Sequence, residues 1–200
     1  MVSETKSRPF VCFKRLFTHE ECLHIIRLAE VRGCFEDGKV WNEEFGKFVV
    51  DKQDRRVLAS YHERGMDTQW IFEIMDKAFH AAASVLNIRI RKESEEDIKI
   101  MSYGIGDHFK IWHKDSGSDY DERRAMSMTV QLSHPSTYDG GRFQIHTNNL
   151  GDFEFNTQIG SAIAFCSNTL HRVTPVTRGV RFSLVNWIGW ARREMPNNDL

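Results

Sequence analysis

Between Ile98 and Trp190 apolar and polar residues alternate with period two, whereas ahead of Ile98 they recur at helical spacing. In "MSMTVQLS", Met126, Met128, Val130 and Leu132 share one face, and Ser127, Thr129, Gln131 and Ser133 the other. "YDGGRFQIHT" carries a Gly-Gly turn into a strand with Phe143, Ile145 and Thr147 against Arg142, Gln144 and His146. "FEFNT", "GSAIAFCS", "LHRVTPV" and "GVRFSLVNWIGW" continue the pattern. Short strands with frequent turn signals and no helices between them predict an antiparallel sandwich or barrel.

The front of the chain reads differently. In "FTHEECLHIIRLAE", Thr18 and Glu21 have the spacing of a capping box, and Phe17 can staple onto Cys22. Cys22, Ile25, Ile26 and Ala29 then fall on one helical face, and Gly33 is the stop. A second helix is expected over 68–86, with Trp70, Ile71, Ile74, Ala78, Ala82 and Leu86 as its apolar stripe. Residues 34–66 read as irregular strands and a long loop, the expected substrate wall. The expected fold is mainly β, with N-terminal helices packed on the outside of a barrel. One domain is expected over 1–200, made of a helical support region (17–97) and a strand core (98–190).

Composition narrows the function classes. Lys plus Arg is 27 and Asp plus Glu is 28, so the net charge of −1 gives no general attraction to nucleic acid or anionic membrane. No apolar run has the length of a membrane helix, and "MVSETKSRPF" lacks the apolar stretch of a signal peptide. Cys12, Cys22, Cys34 and Cys166 have no C-x-x-C spacing, which predicts reduced thiols and a cytoplasmic location.

Candidate chemistry centres on "IWHKDSG". On a strand over 108–115, Phe109, Ile111, His113 and Asp115 share a face, so an imidazole and a carboxylate enter the same space. His171, 58 residues on, is the best third ligand. Two neutral imidazoles and one carboxylate form the facial triad of non-haem Fe(II) oxygenases, which leaves positions open for a cosubstrate and O2. Arg181 follows across the tight turn "TRG". It shares a strand face with Ser183, Val185 and Trp187, and suits bidentate capture of a carboxylate such as the far end of 2-oxoglutarate.

The segments "YGIGDHFKIWHKD", "YDGGRFQIH" and "LHRVTPVTRGVRFSLVNWIGW" resemble the Fe(II)/2-oxoglutarate oxygenases of the prolyl 4-hydroxylase type, most closely the PKHD-type hydroxylases. The resemblance is dense over 98–190 and implies a double-stranded β-helix, a jelly-roll barrel. It implies His113, Asp115 and His171 on iron, with Arg181 on the distal carboxylate of 2-oxoglutarate and Tyr103 beside the cosubstrate. Where relatives place a further cosubstrate contact, the strand phase offers Thr129 or Gln131 and leaves both open. The implied reaction hydroxylates a C–H bond, first of all in a prolyl residue of a peptide or protein, with O2 consumed and 2-oxoglutarate decarboxylated to succinate. Ascorbate is the implied auxiliary reductant.

Other readings compete. Hydroxylation of a free amino acid or small metabolite uses the same site. A jelly-roll binding module that keeps a structural metal needs no open coordination positions, and a zinc or manganese hydrolase needs a base that the His113 face does not offer. Trp187 either lines the substrate mouth or fills core, and Trp112 is expected in the core. His108 points away from His113, and the remaining histidines are expected at the surface. "DSGSDYDERR" (115–124) reads as a solvated loop at the site entrance.

Overall fold

The computed structural model describes residues 9–42, 44–116, 123–155 and 158–191. Strand β1 (Phe10–Phe13) leads into helix α1 (His19–Arg32). Short strands β2 (Glu36–Asp37), β3 (Val40–Asn42), β4 (Lys47–Val49), β5 (Arg55–Arg56) and β6 (Leu58–His62) precede α2 (Gln69–Leu86). Then follow β7 (Ile98–Tyr103), β8 (His108–His113), β9 (Arg124–Gln131), β10 (Tyr138–Gly140) and β11 (Phe143–Thr147). The last strands are β12 (Gly151–Phe155), β13 (Ala162–Cys166), β14 (His171–Val173), β15 (Val176–Gly179) and β16 (Arg181–Gly189).

These strands form the two walls of a jelly roll. The larger sheet has the order β1-β13-β9-β16-β7-β6-β2, and the smaller β12-β11-β14-β8-β5. Two short ribbons, β10-β15 and β3-β4, complete the described strands. Both helices pack on the larger sheet. The period-two pattern of β9 explains why. Met126, Met128 and Val130 are buried with Ile25, Phe72, Met75 and Phe79, at about 1.5–3 kcal/mol for each large apolar side chain buried. Ser127 and Thr129 face the other way, into the barrel, and the polar residues of this strand are therefore the inner ones.

Helix α1 forms as its sequence predicts. Thr18 Oγ1 accepts from Glu21 N at 3.2 Å, and Thr18 N donates to Glu21 Oε2 at 2.7 Å. Gly33, at φ 61°, closes the last turn on Ala29 O. Cys22, Ile25 and Ala29 are buried, and Ile26 only partly. Burial pushes the Cys22 thiol up to about 12, which leaves it inert near neutral pH. All four cysteines are free of disulfides.

Three expectations are corrected. On α2 the buried face is Ile71, Phe72, Met75, Ala78, Phe79 and Ala82, while Trp70, Ile74 and Leu86 are half-buried. The helix has turned toward its bulkiest residues, and the buried Asp76 on this face is held by Arg64 Nη2 (2.8 Å) and Ser94 N (3.0 Å). "TRG" is not a bare turn but the end of β15, paired with β10. Gly179 has φ 71°, and a Cβ there would sit 2.1 Å from Thr137 O. His62 is not a surface histidine. It is 1% exposed and bonded to Ser60 Oγ at 2.8 Å, and burial drives its pKa down.

Residues 34–66 hold the expected short strands, and Trp41, Phe48, Arg55 and Tyr61 from this stretch line the cavity mouth. Of the acidic loop, residues 117–122 lie outside the described residues. Among the described residues no helix is long and apolar enough to cross a membrane.

Candidate metal and oxoacid site

A cavity of about 910 Å³ opens between the two sheets, and His113, Asp115 and His171 lie on its wall. Register brings the histidines together. His113 on β8 and His171 on β14 are direct cross-strand partners, and their rings are 4.1 Å apart. Side chains so paired project in parallel from one face of a sheet. Phe109, two residues before His113, stacks on its imidazole at 3.5 Å between centroids.

Asp115 arrives by another route than expected. Strand β8 ends at His113, and the chain bends, with Asp115 N (2.8 Å) and Ser116 N (3.1 Å) donating to Ser167 O. Ser127 Oγ donates to Asp115 Oδ2 at 2.7 Å, and Ser167 Oγ lies 2.9 Å from Ser127 Oγ. The carboxylate is thus aimed by Ser127 on β9 and by Ser167 in the turn that follows β13. Ser127 was visible as one of the polar residues of β9, but its partner could not be read from strand phase.

The donor set suits a metal. One ligand atom from each residue lies within 4.8 Å of the others. His113 Nδ1 faces Ile111 O at 3.2 Å, and His171 Nδ1 faces Thr169 O at 2.9 Å. A carbonyl can only accept, so each Nδ1 carries the proton and each Nε2 offers a lone pair to the cavity. Burial, with the neighbouring His171, holds the His113 pKa well below the usual histidine range. Burial alone would raise the Asp115 pKa. His171 and His113 nevertheless hold it well below the carboxylate range, with help from Trp187 and the Ser127 hydroxyl. A neutral imidazole and an ionised carboxylate are the forms that bind Fe(II).

Removing the Ser127 hydroxyl should therefore weaken metal binding without touching a ligand. Ser127→Ala is expected to lower Fe(II) affinity roughly 10–100-fold, the usual effect of losing such an outer partner. Anaerobic Fe(II) titration of parent and variant measures it, and equal affinities contradict this role for Ser127.

Arg181 occupies one end of the cavity and is 3% exposed. Its Nε donates to Gln131 Oε1 at 3.1 Å, and Nη1 lies 3.5 Å from Ser183 Oγ. Its guanidinium faces the ring of Tyr103, its cross-strand partner, at 5.4 Å. Burial pushes the Tyr103 phenol up, so it keeps its proton as a donor. Among the described residues no carboxylate pairs with Arg181. Gly141 makes room for it, since a Cβ there would come within 2.9 Å of Arg181 Cδ.

The two residues left open by strand phase occupy different places. Thr129 lines the cavity, whereas Gln131 is buried behind it and holds Arg181, with its Nε2 donating to Ser133 O at 2.9 Å. Trp187 lines the cavity and is 7% exposed. Its indole N–H makes no hydrogen bond of normal geometry but lies close enough to Asp115 to help keep that carboxylate ionised. Trp112 is a correction. It is half-buried at the cavity mouth, under the Arg172 guanidinium at 4.4 Å, because among the described residues no helix covers the outer face of β8. His108 turns away from the triad toward Gly106 O and Gln53 O, as expected.

A jelly roll holding a partly buried His/Asp/His set beside a buried arginine has the layout of an iron- and oxoacid-dependent oxygenase. The family model of the 2OG-Fe(II) oxygenase superfamily matches residues 98–189. A PKHD-type hydroxylase of Synechococcus sp. (strain CC9605) is 33% identical over 184 residues, covering 90% of this chain and 77% of that protein. The chain belongs to the PKHD-type hydroxylases of this superfamily. The match to a PKHD-type hydroxylase of Synechococcus sp. (strain JA-2-3B'a(2-13)), 37% identical, spans 44% of this chain and only 38% of that protein. Among solved structures, a prolyl-4-hydroxylase from Pseudomonas putida superposes with a TM-score of 0.73 at 16% identity, over 93% of this chain and 95% of that one. A prolyl hydroxylase from Trichoplax adhaerens, solved with a hypoxia inducible factor peptide fragment, gives 0.73 at 15% identity, over 90% and 83%. At such identities these two establish the fold.

Proposed function

We propose that the protein is an Fe(II)- and 2-oxoglutarate-dependent hydroxylase acting on a C–H bond of a prolyl residue in a peptide or protein. The observation that carries the reading is a buried guanidinium, Arg181, whose partners among the described residues are all neutral, in the same cavity as the triad. A buried cation is costly unless an anion meets it, and an oxoacid held at the triad brings one.

In this reading the Nε2 atoms of His113 and His171 and one oxygen of Asp115 hold the iron. Bound iron supplies the redox chemistry that couples O2 to decarboxylation of 2-oxoglutarate and hydroxylation of the substrate. Every other task falls to the chain. Arg181 forks onto the distal carboxylate, Gln131 keeps the fork in plane, and the Tyr103 and Ser183 hydroxyls donate beside it. Thr129 lines the floor between Arg181 and the triad. Trp187, with the rim aromatics Trp41, Phe48 and Trp112, forms the substrate mouth. A mouth lined by several aromatic rings offers flat apolar faces for a prolyl ring of a peptide. The reaction balances as substrate C–H, 2-oxoglutarate and O2 giving the alcohol, succinate and CO2.

Anaerobic addition of Fe(II) to the protein with 2-oxoglutarate is expected to give a visible metal-to-ligand charge-transfer band that neither gives alone. Succinate release should then respond to proline-containing peptides, with a product heavier by one oxygen atom in mass spectrometry. Identical spectra with and without 2-oxoglutarate remove the cosubstrate. Release driven by free amino acids but by no peptide favours the small-molecule reading instead.

A further inference from the structure

We infer that Lys99 is a specificity-determining residue of this site and anchors a carboxylate of the substrate. The inference rests on the reading of the site proposed above and adds the charge of what it accepts. The register of β7 sets the geometry. Lys99, Met101 and Tyr103 alternate on the inner face of one strand, and all three line the cavity. Their partners on β16 are Val185, Ser183 and Arg181 respectively. The cavity wall thus carries a cation at each end of the same strand pair, four residues apart on β7. That is roughly 13 Å at about 3.3 Å per residue. The Lys99 ammonium lies over Trp187, six residues from Arg181 on β16, so the two cations stand at opposite ends of this wall.

Among the described residues no carboxylate forms an ion pair with Lys99. Its Nζ lies over the rings of Trp187 at 4.5 Å and Tyr61 at 5.1 Å. The charged groups around it are Arg124 on β9, Arg55 on β5, Glu96 before β7, and Asp115. Glu96 is engaged by Arg124, whose Nε donates to Glu96 Oε1 at 2.7 Å, and Asp115 belongs to the triad. Arg55 lies over Phe109 on the opposite wall and has no carboxylate partner among the described residues either. Two aromatic faces hold the ammonium in place, and the two nearby carboxylates are committed to Arg124 and to the triad. Desolvation first, then Arg124 and Arg55, push its pKa down to about 8.

A lysine kept under such stress is expected to lower stability for the sake of binding. The sign follows from its lowered pKa. The cost is full below pH 8, where the ammonium is charged in both folded and unfolded chains, and fades between about 8 and 10.5. Lys99→Met is therefore expected to raise the melting temperature at pH 7 by about 2–4 °C, and less at higher pH. A lysine serving the fold gives the opposite sign.

The carboxylate has two possible sources, a chain terminus or an acidic side chain, and three probes separate them. These are N-acetyl-prolyl-glycine, N-acetyl-prolyl-aspartamide with its side-chain carboxylate, and the neutral N-acetyl-prolyl-asparaginamide. Each is titrated into the anaerobic protein with saturating Fe(II) and 2-oxoglutarate. Binding is read from the change in the charge-transfer band and from the 13Cε resonance of Lys99 in lysine-labelled protein. At least one charged probe should bind roughly 10–100-fold more tightly than the neutral one, the worth of a hydrogen bond to a charged group. It should shift the Lys99 resonance, and whichever probe does so identifies the source.

Lys99→Met and Lys99→Gln should abolish the preference while leaving the band itself and 2-oxoglutarate affinity intact, and Lys99→Arg should restore part of it. Equal binding of charged and neutral probes overturns the inference. So does a preference that survives in both neutral variants, or failure of every charged probe to move the Lys99 resonance. Absence of the band in the parent protein is a separate result, and it strikes the oxygenase reading itself.

Discussion

Arg181→Leu is expected to weaken 2-oxoglutarate binding by roughly two to four decades while iron binding stays close to the parent's. Removing one side of a buried charge pair costs about 3–5 kcal/mol, at about 1.4 kcal/mol per decade. Without the oxoacid the variant should fold well, since the guanidinium it lacks meets, among the described residues, the neutral groups of Gln131, Ser183 and Tyr103. Leucine fills much of the same space beside Gly141. Arg181→Lys should recover only part of the loss, because an ammonium is a point charge where a planar fork was used. Titration of the charge-transfer band with 2-oxoglutarate reads the effect. A folded Leu variant that binds 2-oxoglutarate as tightly as the parent would falsify the assignment of Arg181. Joint loss of iron and oxoacid would instead make Arg181 a structural residue.

His171→Ala should lose the band altogether. Two ligands remain, and both depend on the missing one for geometry, since His171 Nε2 lies 3.4 Å from Asp115 Oδ2 and its ring lies against His113. The fall in Fe(II) affinity should exceed the roughly hundredfold upper range for losing an outer partner. The imidazole packs against Phe165 at 4.9 Å and Phe143 at 5.7 Å, so a cavity remains and some stability is lost as well. Near-ultraviolet circular dichroism of the metal-free variant separates the two effects. Native aromatic signals with no iron binding mark His171 as a ligand, whereas native signals with unchanged iron affinity remove it from the triad.

Much of this protein was determined by local chemistry. The capping box of Thr18 and Glu21 closes α1 with bonds that span three residues, and Gly33 ends it by a conformation that glycine adopts at little cost. Alternation on β9 and β16 sorted inner from outer side chains, because a strand leaves no other choice once one face is covered by helices. The spacing of His113 and Asp115, with His171 and Arg181 downstream, was enough to suggest a metal and an oxoacid.

What lay beyond reach of sequence was set by pairing between distant strands. His113 meets His171 because β8 and β14 adopt one register out of several that the pattern allows. Asp115 does not follow strand phase at all. It is turned inward by the Ser167 carbonyl and the Ser127 hydroxyl, contributed 52 and 12 residues away in the chain. Thr129 and Gln131 share a face, and only the depth of the cavity separates a lining residue from one that braces Arg181. Trp112 followed its hydrophobicity to a core expectation and failed it, because the helices cover the larger sheet and leave β8 bare. Lys99 is the clearest case. In sequence it is one lysine in a charged stretch, and its chemistry exists only because β6 and β16 bring Tyr61 and Trp187 to its flanks while Arg124 engages Glu96.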